Sequence, residues 1–298
     1  MNKYLIFRTD RIGDFLLSAI LIKNIKRNDK NALIFVIGSE KNFDYIKKFD
    51  LVNEVYLFKK NLLSRFKLVK SLRQHYFKAV IIHDGKKRSE FINLFLKKKL
   101  SLSVDNKDIE RSHFAKIENI IKLLNFNFDS SDLNFLDIKS KNSNISQKKK
   151  HIVLHYDEKW SIETYISKYK NIEPTEEQLS NFIYFLKKKS DYNLIITTGL
   201  NTPFILKNAI NKIKDDKITF IVNSNFNELE NIVSQSKLLI SCHGAISHVA
   251  SAYNVKQIDI IDTNILNPYN NWTNHFRNYN SIHRKPFDQL SSDIIKLL

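Results

Sequence analysis

Cysteine occurs once, at Cys242, in a chain of 298 residues. No disulfide can close within the chain, which fits a reducing cytoplasm. No long apolar run exists either. The longest, residues 15–22, is interrupted by Ser18 and is far too short to span a bilayer. Residues 3–8 already read as a strand, so no signal peptide is expected, and the protein is expected to be soluble or peripheral. The nucleotide and redox signatures GxGxxG, GxxxxGK[ST] and CxxC are missing, as is any Asp-x-Asp to hold a divalent metal over a diphosphate. No fixed-period repeat is present. Glycine is scarce, with five in the chain, and each one follows an apolar run: Gly13, Gly38, Gly85, Gly199 and Gly244. Turn chemistry explains one or two of these. All five together suggest a cleft at the carboxyl ends of strands, where open α/β sheets bind their ligands.

Acidic residues are outnumbered, 31 against 48 Lys and Arg, which leaves a net charge of +17. Lysine runs fall at residues 97–99, 148–150 and 187–189. Each alone reads as a solvated helix end or linker. Together they favour a polyanionic partner: an anionic membrane face, a phosphorylated glycolipid or nucleic acid. No nucleic-acid-binding motif or aromatic-basic platform accompanies the charge, so nucleic acid is not an expected partner.

The length suits two domains. Strand-like runs at residues 4–7, 32–37, 55–58, 79–82 and 100–104 alternate with helix-like segments at 14–26, 42–49, 62–75 and 89–96, and a further helix is expected over 113–124. The polar stretch 130–150 interrupts this pattern and ends as a linker. The alternation then resumes, with strands at 152–154, 194–197, 218–222, 238–240 and 257–261 and helices at 175–188, 203–213, 227–234 and 247–253. An aromatic and basic tail, 267–285, precedes a short helix at 291–298. Such alternation implies two parallel, doubly wound sheets in tandem with a cleft between them.

Three stretches could carry chemistry. In residues 7–20 a strand ends at Arg8, Gly13 makes the turn and Asp14 opens an apolar helix. Asp14 is either a helix cap or a carboxylate facing the cleft as a general base. In residues 154–160 a strand ends and Lys159 follows at once, either an exposed lysine beside Asp157 and Glu158 or a point charge for a diphosphate. In residues 238–255 a buried strand ends in Ser241-Cys242-His243-Gly244, and a small-residue helix carries His248. There the free N–H groups of Gly244, Ala245 and their neighbours could receive an anion.

Together these stretches resemble glycosyltransferase family 9, the family of the ADP-heptose:lipopolysaccharide heptosyltransferases. TDRIGD at 9–14 is similar to the family's opening [ST]-x-x-G-D, LHYDEKW at 154–160 to its lysine-bearing loop, and HGAISHVASA at 243–252 to its D-G-G-A-x-H-x-A-A form. IIHDGKKRS at 81–89 resembles its fourth-strand loop. The resemblance covers about residues 3–262. It implies an α/β chain of GT-B fold, two doubly wound Rossmann-like domains facing a central cleft, with an acceptor-side domain over 1–147 and a donor domain over 148–298. The C-terminal helix is expected to pack back on the first domain. The implied reaction is inverting and metal-independent, with no cofactor beyond a nucleotide-sugar donor such as ADP-heptose. Asp14 is implied as catalytic base. Lys159, Thr202, His243, Gly244, Ala245 and His248 are implied on the donor side, and Arg11, Gly13, Asp84 and Arg88 on the acceptor side. The implied partners are a lipid-linked glycan, a lipopolysaccharide core or similar, and the anionic inner face of the cytoplasmic membrane. His243 departs from the pattern, which has Asp there, and no acidic residue follows Gly199 to hold ribose hydroxyls. A nucleotide-sugar epimerase and a catalytically degenerate GT-B protein are the alternatives.

Overall fold

Apolar strands that must be covered on both faces settle into parallel sheets. The computed structural model describes residues 1–104, 111–134, 151–160, 172–262 and 266–298, and all pairings between its strands are parallel. The chain divides into two compact units, Met1–Phe135 with Asn270–His275, and Leu136–Tyr269 with Phe276–Leu298. The expected boundary at 147/148 falls outside the described residues.

In the first unit β1 (Lys3–Arg8), β2 (Leu33–Gly38), β3 (Glu54–Leu57), β4 (Phe77–Ile82) and β5 (Lys98–Ser103) form a sheet in the order β3-β2-β1-β4-β5. The central strand β1 is buried from Tyr4 to Arg8, whereas the edge strands β3 and β5 carry polar, partly exposed residues, as unpaired edges require. Helix α1 (Ile12–Asn28) is buried continuously from Phe15 to Ile22. It is apolar all round because α5 (His113–Leu123) covers the face it turns away from the sheet, which accounts for the longest apolar run in the chain. Three shorter helices complete the unit: α2 (Phe43–Lys47), α3 (Leu62–Leu72) and α4 (Lys87–Leu94).

The second unit has six strands: β6 (His151–His155), β7 (Asn193–Thr197), β8 (Ile218–Ile221), β9 (Ser236–Cys242), β10 (Lys256–Ile261) and β11 (Tyr279–His283). Their order is β11-β10-β9-β6-β7-β8. Among the described residues the helices are α6 (Glu176–Lys188), α7 (Phe204–Lys212), α8 (Phe226–Ser234), α9 (Ala245–Ala252), α10 (Leu266–Thr273) and α11 (Phe287–Lys296). The segment Asn270–His275 groups with the first unit, and the C-terminal helix groups with the second. Phe287, Leu290 and Ile294 of that helix, α11, belong to the core of the second unit.

Both strand orders reverse direction once. In the first sheet the reversal lies between β1 and β4, and in the second between β6 and β9. At such a switch point the loops leave on opposite sides and open a crevice at the carboxyl ends of the strands. Among the described residues, ten of the eleven strands match runs expected from apolar periodicity. β11 lies in the stretch read as a tail, because an edge strand of sequence YNSIH buries only Ile282.

Candidate functional site

At the first switch point the ends of β1 and β4 meet through a buried carboxylate. Asp84 accepts from Thr9 Oγ1 at 2.6 Å, from Ser89 Oγ at 2.8 Å and from the Lys86 N–H at 3.3 Å. Gly85 between them has φ 53°, a left-handed conformation that glycine adopts without strain. Arg8 is also buried. Its guanidinium donates to the carbonyls of Asp14 and His83 and lies 3.6 Å from Asp10. Above this scaffold lies a cavity of about 410 Å³ lined by Asp14, Arg11, Lys60, Lys86, Arg88 and Phe58, with Thr9, Asp10, Ser39, Glu40 and Lys41.

Asp14 sits at the third position of α1, which starts two residues earlier than expected. Its Oδ2 accepts the Arg11 N–H at 3.1 Å, which is the acidic half of a capping box. The side chain remains 44 % exposed and faces the cavity. The cap reading and the base reading are therefore compatible at one residue. Arg11 and Arg88 line the same cavity, and Arg88 donates to Thr9 Oγ1 at 3.0 Å. Gly13 is the second residue of α1, and Asp84 lies beneath the cavity as part of the scaffold. Burial, with Arg88 and Arg8 nearby, lowers the Lys86 ammonium to about 8, although Lys86 also pairs with Asp10. His83 is buried against Ser18 Oγ at 2.7 Å, held well below the usual histidine value by burial and by Arg8, and lies outside the cavity lining.

At the second switch point β6 ends in His155, followed by Tyr156, Asp157 and a 3-10 turn, Glu158–Trp160. The turn is fixed from three sides. The Trp160 indole donates to the His155 carbonyl at 2.9 Å, its ring stacks on Tyr156, and Arg284 donates to the Lys159 carbonyl at 2.7 Å. Lys159 Nζ lies 2.7 Å from the buried Asp157 carboxylate. Burial alone would lower the ammonium's pKa, but Asp157 more than offsets this and the net shift is upward. A Cβ added to Gly244 would stand 2.6 Å from that Nζ. The lysine therefore lies directly over Gly244, the N-cap of α9, and its ammonium adds to the positive end of the helix dipole. Only a residue without a side chain admits this approach.

The rest of the donor-side set surrounds this point. Ala245 is the first residue of α9, and the Gly244 N–H points to Ser247 Oγ at 3.2 Å. His243 Nδ1 lies 2.5 Å from Asp259, a fully buried carboxylate on β10 that also accepts from Ser247 at 2.8 Å and Tyr279 at 3.2 Å. Where the family pattern has an acid, this chain thus has an imidazole with a carboxylate behind it, supplied by the next strand. The His243 ring meets His248 and Tyr269 edge to face, and His248 in turn meets Phe276. Thr202, past the end of β7, donates to Asn223 at 2.8 Å. Sequence reading missed Arg8, Asp157 and Asp259 as parts of the sites. A charged residue inside the apolar strand QIDII was the one available signal for Asp259. Among the described residues no group of three or more His, Cys, Asp or Glu could hold a metal ion.

No family model matches the chain, and no curated protein sequence matches it. Solved structures do. The E. coli heptosyltransferase WaaC with ADP is similar at a TM-score of 0.73 and 12% identity, with 99% of this chain and 98% of that chain covered. A glycosyl transferase family 9 protein from Veillonella parvula is similar at a TM-score of 0.66 and 12% identity, covering 100% of this chain and 90% of its own. The UDP-GlcNAc 2-epimerase of Methanocaldococcus jannaschii follows at 0.60 and 11%, with 100% and 92% covered. At such identities the likeness is one of fold. The chain has the two-domain α/β GT-B fold, shared with these structures over nearly its full length.

Proposed function

We propose that the protein is an inverting, metal-independent glycosyltransferase that moves a sugar, heptose or a related one, from a nucleotide-sugar to a lipopolysaccharide core or similar surface glycan at the inner face of the cytoplasmic membrane. The observation that carries this reading is the contact of Lys159 with Gly244 at the second switch point. A lysine ammonium seated on a glycine at a helix N-terminus is a receptor for a diphosphate. WaaC, a fold neighbour, was solved with ADP and with ADP-2-deoxy-2-fluoro heptose, so ADP-heptose is the first donor to test.

Asp14 takes the proton of the acceptor hydroxyl as its oxygen attacks the anomeric carbon. The bond from that carbon to the diphosphate oxygen breaks, and the electron pair leaves with the nucleoside diphosphate. One displacement inverts the anomeric centre. The leaving diphosphate gains charge in the transition state, and Lys159 with the N–H groups of α9 stabilises it there. These groups supply the positive charge that a divalent metal supplies in other transferases. The cationic lining of the Asp14 cavity, Arg11, Lys60, Lys86 and Arg88, suits an anionic acceptor. No helix among the described residues is long and apolar enough to cross a membrane, and the excess of lysine and arginine supports a peripheral attachment.

The test is incubation with a panel of nucleotide-sugars and detergent-dispersed lipid-linked glycans in excess EDTA. Released nucleoside diphosphate together with a glycolipid heavier by one sugar is the expected result. An altered sugar still joined to its nucleotide would make the protein an epimerase. Strict dependence on magnesium or manganese would overturn the charge scheme.

A further inference from the structure

Two neighbouring helices of the first unit turn bulky apolar side chains to solvent. Helix α3 exposes Leu62, Leu63 and Phe66 at 68%, 77% and 69%, and α4 with its C-cap exposes Phe91, Leu94 and Phe95 at 61%, 75% and 47%. The inner sides of the same helices place Leu68, Leu72, Ile92 and Leu96 in one core against the sheet, so the helices share one sheet face. Phe58 links their N-terminal ends. The Arg65 guanidinium lies 5.1 Å from its ring centroid and that of Arg88 lies 4.9 Å from it. Single exposed leucines are ordinary, but six large apolar side chains on two adjoining helices mark an interaction surface.

The charge of the segment that carries both helices points to what covers these side chains. Residues 55–104 hold thirteen Lys and Arg and two acids, Asp84 and Glu90, so about a sixth of the chain carries +11 of its net +17. From 55 to 83 there is no acidic residue at all. A second copy presenting the same face would bring like charges together. A nucleic acid would satisfy the cations and leave the leucines without an apolar partner. An anionic bilayer surface satisfies both, because headgroups meet the cations while the acyl boundary receives Leu and Phe. Moreover Phe58, Lys60 and Arg88, at the N-terminal ends of these helices, also line the Asp14 cavity.

We propose that the outer faces of α3 and α4 form a bilayer-docking surface. Leu62, Leu63, Phe66, Phe91, Leu94 and Phe95 enter the boundary between headgroups and acyl chains, and lysines and arginines of the same segment, residues 55–104, hold anionic headgroups. The Asp14 cavity then lies at the membrane surface, where a lipid-linked acceptor is found. The proposal rests on the membrane-borne acceptor of the transferase reading and names the surface that meets the membrane. It differs from attachment by lysine runs alone, since it assigns part of the affinity to apolar insertion.

The experiment is co-sedimentation with vesicles of phosphatidylcholine and phosphatidylglycerol in equal parts, comparing the wild type with the triple variant Leu63→Ser/Phe66→Ser/Leu94→Ser. All three side chains are exposed, so an unchanged Tm is expected. Net charge is also unchanged. Apolar transfer of three such side chains makes a loss of about tenfold or more in vesicle affinity the expected result. Wild-type binding should weaken as salt rises and level off at a residual that the variant lacks. Equal binding by the two proteins, or no binding by the wild type, overturns the proposal. So does a wild type that prefers a single-stranded oligonucleotide to the vesicles. Nucleoside diphosphate binding measured in the same samples tests the transferase reading separately. A protein that binds nucleotide but not vesicles loses the docking surface alone, and one that binds vesicles but not nucleotide loses the transferase reading alone.

Discussion

Gly244→Ala is the substitution that isolates the donor site. The added Cβ would stand 2.6 Å from Lys159 Nζ and 3.5 Å from its Cε. Only the ammonium has to move, and it is the free end of a flexible side chain. The backbone imposes nothing, because Gly244 has φ 179° and ψ −164°, an extended conformation open to any residue. Two small costs follow. Alanine is a poorer N-cap than glycine, and the displaced ammonium weakens its 2.7 Å pairing with Asp157. Each is worth about 1 kcal/mol or less, so Tm should fall by only about 2–5 °C. Donor affinity should respond far more strongly. A charge-assisted hydrogen bond is worth about 1.5–3 kcal/mol, which makes a ten- to hundredfold loss of nucleoside diphosphate affinity the expected result. Calorimetric titration reads this directly. In a Lys159→Ala background the same substitution should add little, since the two act through one ammonium. Lys159→Ala alone is the less informative change, because it strands the buried Asp157 carboxylate and destabilises the fold as well. A folded Gly244→Ala protein with unaltered nucleotide affinity would refute the reasoning.

Other consequences concern the base and the histidines. Asp14→Asn keeps an oxygen to accept the Arg11 N–H, so the helix start should survive with about 0.3–1 kcal/mol lost from the dipole interaction. Asn cannot take a proton from a sugar hydroxyl, and turnover should fall by about 10²–10⁴-fold while nucleotide binding persists. Near-normal turnover would reduce Asp14 to a capping residue. Stability should also depend on pH in a stated direction. Burial holds His113, His155 and His275 at about 4 in the folded protein, below the ordinary histidine value of 6.5. The unfolded chain therefore takes up protons first as pH falls. Stability is fully present above 6.5 and declines between 6.5 and 4 by about 3 kcal/mol per histidine, about 2 kcal/mol of it by pH 5. Urea unfolding at pH 7 and pH 5 checks this, and equal midpoints would contradict it.

Much of this was legible in the sequence because parallel sheets write themselves as unbroken apolar runs. β1, β2, β4, β6 and β9 all appear as such, and the turns and helix start that follow four of them hold Asp14, Asp84, Lys159 and His243. Adjacency was harder to read. Gly244 and Lys159 are far apart in the chain and meet only because β6 and β9 are neighbours. The same holds for the Asp259 carboxylate behind His243, which depends on the pairing of β9 with β10. The apolar face of α3 and α4 was hidden for another reason. Residues 62–75 read as a helix with leucines enough for a core, but periodicity alone does not say which face the sheet covers. Leu68 and Leu72 are buried, while Leu62, Leu63 and Phe66 are not.

The reading turns on whether the second switch point binds a nucleoside diphosphate. Calorimetric titration of ADP, UDP, GDP and CMP into the wild type and into Asp14→Asn, without added metal, tests it most directly. The expected result is saturable, one-to-one binding of a nucleoside diphosphate, equal in the two proteins, with ADP tightest if the donor is ADP-heptose. Absence of binding by every nucleotide to a folded wild-type protein would contradict it.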